Sequence, residues 1–128
     1  ELITHLGVEI KTNAPLGPRM TLDHLFQKGY KAVYLAFGAH KGIGLGIPGE
    51  KTEGVRQGVD FLREMNLTGK TRIGERVAVI GGGNVAIDVA RSAVRLGARE
   101  VTIIYRRTRA EMPAWAEEVE AAVSGGAR

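Results

Sequence analysis

Hydrophobic residues in the second half of the chain form short continuous runs separated by a segment with helical spacing. Residues 77–80 are a continuous and mostly β-branched run, which is typical of a strand covered on both faces. From Asn84 onward apolar residues recur every three or four positions, as on one face of a helix; they are Val85, Val89, Ala93 and Leu96. Gly97 is a typical helix stop, and residues 101–105 form a second apolar run. This pattern predicts a βαβ unit with two parallel strands.

The rest of the chain predicts shorter elements around this unit. In the first half we expect the end of a helix, a strand, a short helix capped by Thr21 and a second strand, over residues 1–6, 8–12, 21–29 and 32–37. An amphipathic helix is expected after Gly54, and a last helix from Trp115. The expected inner face of that last helix is Val119, Ala122 and Val123, and residues 124–128 have the composition of a flexible end.

A glycine-rich turn joins the first strand of the βαβ unit to its helix. Gly81, Gly83 and Ala86 match the G-x-G-x-x-G/A pattern of dinucleotide-binding proteins. The first glycine permits a sharp turn, the second has no Cβ to obstruct a pyrophosphate, and the alanine allows close helix packing. The helix N-terminus then offers unpaired N–H groups and a positive dipole end to phosphates. The alternative is a tight turn in another kind of α/β protein.

The second strand ends in a cluster of basic residues. NAD-binding units commonly have an acidic residue about 20 residues past the glycines, where it holds the ribose 2′-OH. No carboxylate is present in residues 105–109, whereas Arg106 and Arg107 have planar guanidinium groups that suit a 2′-phosphate. Arg109 is a further candidate of lower rank. The cluster therefore favours NADP(H) over NAD(H), and the alternatives are a solvated basic loop or a surface for an acidic partner.

Composition restricts the class of protein. The 128 residues, 44% of them hydrophobic, suffice for one modest core. The net charge of +4 is compatible with nucleic-acid binding, but basic residues cluster only at 106–109. Three Tyr, three Phe and one Trp also provide no stacking platform, so we predict no nucleic-acid partner. No run approaches the roughly 18 apolar residues of a membrane span and no signal peptide is visible, which predicts a cytoplasmic protein without membrane insertion.

Redox and metal chemistry of the chain's own side chains is not indicated. The absence of cysteine excludes disulfides and cysteine-ligated iron–sulfur clusters within these 128 residues. The three histidines, His5, His24 and His40, are not spaced as metal ligands. We therefore predict no catalytic side chain and no metal ligand in this chain.

Two longer motifs carry a family resemblance. Residues 80–91 and 105–114 resemble the NADPH domain of the glutamate synthase small-subunit family, parts of which occur in dihydropyrimidine dehydrogenase and adrenodoxin reductase. Residues 30–39 resemble the second flavin-contacting segment of those enzymes, and residues 47–49 the crossing into the NADPH domain. In that family an FAD domain is interrupted by an NAD(P)H domain. The nicotinamide passes hydride to the flavin, and electrons continue to iron–sulfur clusters or a partner subunit.

The resemblance implies an α/β fold: a Rossmann-like, three-layer NAD(P)-binding unit with part of an adjoining FAD-binding domain. Residues 1–50 would be the C-terminal part of the FAD-binding domain, and residues 51–128 the N-terminal half of the NADP(H)-binding domain. The implied cofactor-binding residues are Gly81, Gly82, Gly83, Asn84, Val85 and Ala86 for the pyrophosphate, Arg106 and Arg107 for the 2′-phosphate, and Gly38 and Ala39 for FAD. Hydride transfer to a flavin requires positioning more than an acid or a base, which agrees with the lack of a catalytic group.

Several parts of the family pattern are missing, which bears on what the chain does alone. The first glycine-rich motif, the cysteine ligands and the final flavin segment are absent. We therefore expect this chain to be a segment of a longer parent, and we expect FAD to bind to the parent and not to the segment by itself. Lys31 also stands where an acidic residue is common. The implied partner is a larger amidotransferase-type subunit or an iron–sulfur subunit. The alternatives are a non-catalytic NADP(H)-binding module and an inert truncation.

Overall fold

The computed structural model describes residues 3–128, and its backbone divides into two compact units. The first unit ends at Gly38, and the second is Ala39–Arg128. This division concerns backbone compactness. The predicted boundary between two cofactor domains at residues 50 and 51 stays a prediction.

The first unit contains less regular structure than its hydrophobic pattern predicts. Of the helix end expected at residues 1–6, the described part is a 3₁₀ turn, Thr4–Leu6, closed by Gly7 with a φ of 82°. The strands predicted at residues 8–12 and 32–37 are wrong, because neither segment pairs with another in the described part of the chain. An apolar or alternating run becomes a strand only when a neighbour exchanges backbone hydrogen bonds with it. The sequence pattern carries no information about that neighbour.

The short helix of the first unit is confirmed. This helix, α1, is Leu22–Gln27, and the Thr21 hydroxyl caps it by accepting a hydrogen bond of 3.2 Å from the His24 N–H. Thr21 has extended backbone angles, as an N-cap residue requires. Gly29 follows the helix with a φ of 92°, a conformation that favours glycine.

The second unit contains the predicted βαβ arrangement. Its elements in chain order are α2 (Gly58–Thr68), β1 (Arg76–Ile80), α3 (Asn84–Arg95), β2 (Glu100–Ile104), a 3₁₀ turn (Arg109–Glu111) and α4 (Ala116–Ser124). The two strands are parallel, with Arg76 beside Glu100 and Ile80 beside Ile104. A parallel pair requires a crossover connection, which α3 supplies. The α/β class predicted from the sequence is therefore present in this unit.

One face of the sheet packs on the helices. The register places Val77 beside Val101 and Val79 beside Ile103, and these four side chains face the core that α3 covers. The alternate positions point to the other face, where Ile80 is 62% exposed. Among the described residues β1 is thus covered on one face, not on both as its continuous apolar run predicted. The difference arises because α2 and α4 pack on α3, not on the opposite side of the sheet.

The helix α3 presents two apolar surfaces, not the single face predicted from its spacing. Its residues buried in the core are Ala86, Ile87, Ala90 and Ala93. Val85 and Val89 instead face α2, since a Cβ built on Gly58 would lie 3.1 Å from a methyl carbon of each. Small side chains allow α3 to lie close to the sheet. The two valines, one turn apart, pack where α2 has no side chain.

The end of the chain is ordered against the sheet, so the prediction of a flexible end is wrong. The Arg128 N–H donates to the Val101 carbonyl at 2.8 Å, and its carbonyl accepts from the Ile103 N–H at 2.7 Å. These bonds use the edge of β2 opposite β1, and Ala127 is 2% exposed. Val123, expected on the inner face of α4, is 44% exposed, because the helix turns Val119 and Ala122 toward α3 instead.

Candidate dinucleotide-binding site

The turn after β1 has the conformation that the first glycine of the motif implies. Gly81 has a φ of 138°, which side chains other than glycine rarely adopt. Its N–H donates to the Ile104 carbonyl at 2.9 Å, so the turn is attached to the end of β2. A Cβ built on Gly81 would lie 3.4 Å from the Ala86 Cβ, which shows how closely α3 returns to the strand.

The N-terminus of α3 opens directly from this turn. Gly83 is the N-cap residue, and its carbonyl accepts from the N–H groups of Ala86 and Ile87. The N–H groups of Gly83, Asn84 and Val85 have no acceptor among residues 3–128. A Cβ built on Gly83 would meet no atom within 4 Å. This 12-residue helix therefore begins with unpaired N–H groups, and its first two residues, Asn84 and Val85, are exposed. Unpaired N–H groups at a helix N-terminus bind phosphate in other proteins.

The segment after β2, which we call the arginine loop (residues 105–115), returns to the glycine turn. The Tyr105 ring lies against Gly82, because a Cβ built on this buried glycine would be 2.7 Å from the ring. At the other end of the loop, the Ala114 N–H donates to the Gly82 carbonyl at 3.1 Å. The Trp115 N–H donates to Oδ1 of Asn84 at 3.3 Å. Both ends of the loop are thus attached to the residues that surround the α3 N-terminus.

The interior of the arginine loop is also ordered by its own hydrogen bonds. The Glu111 carboxylate accepts from the Thr108 N–H at 3.1 Å and from its hydroxyl at 2.9 Å. The Tyr105 hydroxyl donates to the Glu111 carbonyl at 3.1 Å. These bonds engage the one carboxylate of residues 105–115 within the loop itself.

The three arginines of the loop remain available to a ligand. Arg106, Arg107 and Arg109 are exposed, and none of their side chains forms a hydrogen bond or ion pair within the part of the chain that the structure describes. β2 ends at Ile104, so Arg106 and Arg107 follow the strand tip closely, as predicted. Their binding to a 2′-phosphate stays a prediction. The geometry supplies unpaired cationic side chains on a loop that is attached to the glycine turn.

Residues 4–126 match the family model described as pyridine nucleotide-disulphide oxidoreductase. The chain belongs to this family. It is 50% identical, over 98% of its length, to the beta subunit of NADP(+)-dependent formate dehydrogenase from Moorella thermoacetica. It is 44% identical over its whole length to the NADPH-Fe(3+) oxidoreductase subunit beta of Geobacter sulfurreducens. With the glutamate synthase [NADPH] small chain of Escherichia coli it shares 36% identity over 98% of its length.

These comparisons confirm the family resemblance and the Rossmann-like α/β class predicted from the sequence. The predicted cofactors, NADPH and FAD, agree with the family and with the NADPH-linked names of these relatives. The chain spans 18%, 19% and 29% of the three relatives, which is less than a third of each. The glycine turn fits a pyridine dinucleotide, because Gly83 leaves space and the α3 N-terminus supplies unpaired N–H groups.

The predicted flavin contacts of this pyridine nucleotide-disulphide oxidoreductase segment stay a prediction. Gly38 is the last residue of the first unit and has a φ of 65°, and Ala39 begins the second unit. Both are exposed, and a Cβ built on Gly38 would meet no atom within 4 Å. Among the described residues, no three His, Cys, Asp or Glu side chains are grouped so as to hold a metal ion. Residues 3–128 also include no helix that is long and apolar enough to cross a membrane.

Sequence reasoning missed how the arginine loop is attached to the turn. Asn84 was predicted as a phosphate-binding residue, but its side chain accepts from Trp115, 31 residues away. The contact of Tyr105 with Gly82 was also not predicted. Neither contact has a local sequence signal, because both depend on the parallel pairing that brings the end of β2 beside the end of β1. In the sequence, the glycine at position 82 was the one available indication that another group fills the space beside this residue.

Proposed function

We propose that the second unit binds NADPH and that the complete protein passes hydride from NADPH to FAD and electrons onward to an acceptor. The observation that carries this proposal is the α3 N-terminus. It has three unpaired N–H groups, a Cβ on Gly83 would meet no atom within 4 Å, and the neighbouring loop has three arginines with unpaired side chains. The site combines a pyrophosphate cradle with cations placed for a second phosphate.

In this proposal each group has one task. The N–H groups of Gly83, Asn84 and Val85 donate to the pyrophosphate, and the helix dipole favours its negative charge. Arg106 and Arg107 bind the 2′-phosphate with planar guanidinium groups. FAD, when bound, supplies the hydride-accepting chemistry, while the residues of this chain hold and orient the dinucleotide. Gly38 and Ala39 are the proposed flavin contacts.

A partner subunit is part of the proposal. The relatives from Moorella and Geobacter are named as beta subunits, and the one from Escherichia coli as a small chain. We therefore propose that the complete protein delivers electrons to a second subunit, either a larger amidotransferase-type subunit or one with iron–sulfur clusters. The proposed compartment is the cytoplasm.

The test is to add NADPH to the complete protein without oxygen and to monitor reduction of the flavin by its absorbance. We expect NADPH to reduce the flavin in a single turnover. Gly83→Val should weaken NADPH binding by more than about tenfold with little change in thermal unfolding, since the new side chain would occupy the pyrophosphate position without meeting protein atoms.

Three results would contradict the proposal in different ways. NADPH that binds without reducing flavin would indicate a non-catalytic module. Absence of binding to the unmodified protein would indicate an inert truncation. Unchanged NADPH binding in Gly83→Val, together with a lower unfolding temperature, would mean that Gly83 serves packing and not phosphate.

A further inference from the structure

The contact between Tyr105 and Gly82 occupies space that any other residue at position 82 would need. A Cβ built on Gly82 would lie 2.7 Å from Cδ2, 2.8 Å from Cε2 and 3.0 Å from Cγ of the tyrosine ring. The ring therefore lies directly on the backbone of the turn. At the neighbouring Gly83 the corresponding position is open. Of these two adjacent glycines, Gly82 thus faces a protein side chain and Gly83 faces empty space.

The same tyrosine is also attached to the far side of the arginine loop. Its hydroxyl donates to the Glu111 carbonyl at 3.1 Å, two residues beyond Arg109. Tyr105 thus bridges the glycine turn and the loop that carries the arginines. It is half-buried and does not belong to the hydrophobic core between α3 and the sheet. Truncating it therefore removes no side chain from that core.

We propose that Tyr105 is a positioning residue that sets the preference for a dinucleotide carrying a 2′-phosphate. This rests on the proposed function. Arg106 follows Tyr105 directly, and the ring fixes the backbone of both relative to the N–H groups of the α3 N-terminus. In NADPH the ribose fixes the separation between pyrophosphate and 2′-phosphate. When the loop is held at the matching position, the turn binds the pyrophosphate and the arginines bind the 2′-phosphate without the loop first having to be ordered.

This arrangement affects the two cofactors differently. NADPH uses the turn and the arginine loop together, whereas NADH has no 2′-phosphate and uses the turn alone. Releasing the loop makes Arg106 and Arg107 search more conformations before they bind, which weakens their contribution. The loss then falls on NADPH. A merely structural role of Tyr105 would lower the affinity for both cofactors together.

The experiment measures the dissociation constants of NADPH and NADH for variants of the complete protein. Tyr105→Ala should weaken NADPH binding about tenfold and NADH binding less than about twofold. Tyr105→Phe keeps the ring on Gly82 and loses only the bond to Glu111, so it should shift the same ratio by about two- to threefold. Gly82→Ala inserts a methyl group into the ring's position and should lower the ratio of NADPH affinity to NADH affinity, as Tyr105→Ala does. In the double variant Gly82→Ala with Tyr105→Ala, the two effects on this ratio should not add, because the ring that the new methyl group would displace is already absent.

Gly83→Ala is the matched control, since it adds the same methyl group one residue later, where no protein atom lies within 4 Å. It should weaken NADPH and NADH equally. If Gly83→Ala changes neither cofactor, the proposed function itself fails. If Gly83→Ala weakens both but the Tyr105 variants change both equally, or change neither, the positioning role is overturned while dinucleotide binding stands. Should Tyr105→Ala not fold, Tyr105→Phe and Gly82→Ala decide by the same ratio.

Discussion

Three consecutive glycines at residues 81–83 are identical in sequence and different in physical role. Gly81 is required by its backbone angle, since its φ is 138°. Gly82 is required by a neighbour, because the Tyr105 ring fills the space beside it. Gly83 has ordinary backbone angles and open space, so no contact within the described chain requires it. The reason for its lack of a side chain is therefore to be sought in a ligand.

At the same scale, we predict that the arginines of the loop decide the preference between NADPH and NADH. Changing both Arg106→Ala and Arg107→Ala should weaken NADPH binding by about ten- to a hundredfold, because two charge-assisted contacts with the 2′-phosphate are lost. NADH binding should change little. The effect should diminish as salt is raised, since exposed charges are screened. Fluorescence titration of the complete protein with each cofactor gives both constants.

Arg72→Ala is the control for this pair. Arg72 is exposed and precedes β1, at the opposite end of the strand from the glycine turn, so its removal changes the net charge without touching the loop. Equal losses for NADPH and NADH in the double variant, or an unmodified protein that prefers NADH, would leave the arginines as a solvated basic loop.

At the scale of elements, α3 connects the two strands and the other two α-helices of the second unit. It contacts both strands as well as α2 and α4. Its sheet-facing surface is made of small residues with one large one, Ile87, which is completely buried. This surface allows the close approach that places the helix N-terminus at the end of β1. The position of the candidate phosphate site is thus a consequence of how α3 packs.

One residue of α3 departs from this apolar packing. Ser92 is 1% exposed, and its hydroxyl has no hydrogen-bond partner in the described structure. A buried and unsatisfied polar group destabilises the folded state, so Ser92→Ala should raise the free energy of unfolding by about 1 kcal/mol. Denaturant unfolding measures the change. Ser124→Ala, at an exposed position of α4, should stay within about 0.5 kcal/mol of the unmodified protein. A destabilised Ser92→Ala would show that the hydroxyl has a partner after all.

At the scale of the whole molecule, the sheet of the second unit extends beyond its two strands. Residues 127 and 128 pair with the free edge of β2, so the order across the sheet is this segment, β2 and then β1. That order is the one found in a mononucleotide-binding half of a Rossmann fold, 3-2-1. The turn before this segment uses Gly126, with a φ of 111°, to bring the chain from α4 back to the sheet.

The packing of this third segment can be tested at Ala127. Ala127→Asp places a carboxylate at a position that is 2% exposed and belongs to the hydrophobic core cluster. The unfolding free energy should fall by about 3 kcal/mol or more, because a buried charge without a partner is strongly unfavourable. Ala116→Asp is the matched control, since that residue is exposed in the first turn of α4, where an acidic side chain is tolerated. Equal stability of the two variants would mean that residues 127 and 128 are not packed against β2 in solution.

The sequence by itself determined the βαβ unit, the glycine turn and the position of the arginines after β2. These features have local signals: apolar runs, helical spacing, and glycines at fixed offsets. It also indicated the family, which the match over residues 4–126 confirms. Where the signal depended on a partner the prediction failed: residues 8–12 and 32–37 have the composition of strands, but neither segment pairs with another among residues 3–128.

The tertiary structure alone decided which surfaces are covered and how the site is held together. Val85 and Val89 were expected on one apolar face of α3 together with Ala93, but they face α2, because Gly58 leaves room there. Spacing along one helix identifies apolar positions and not the element each one meets. The attachment of the arginine loop through Tyr105 was likewise decided by the tertiary structure and not by local sequence. Its contact with Gly82 joins residues distant in sequence, and only the parallel pairing of β1 with β2 brings them together.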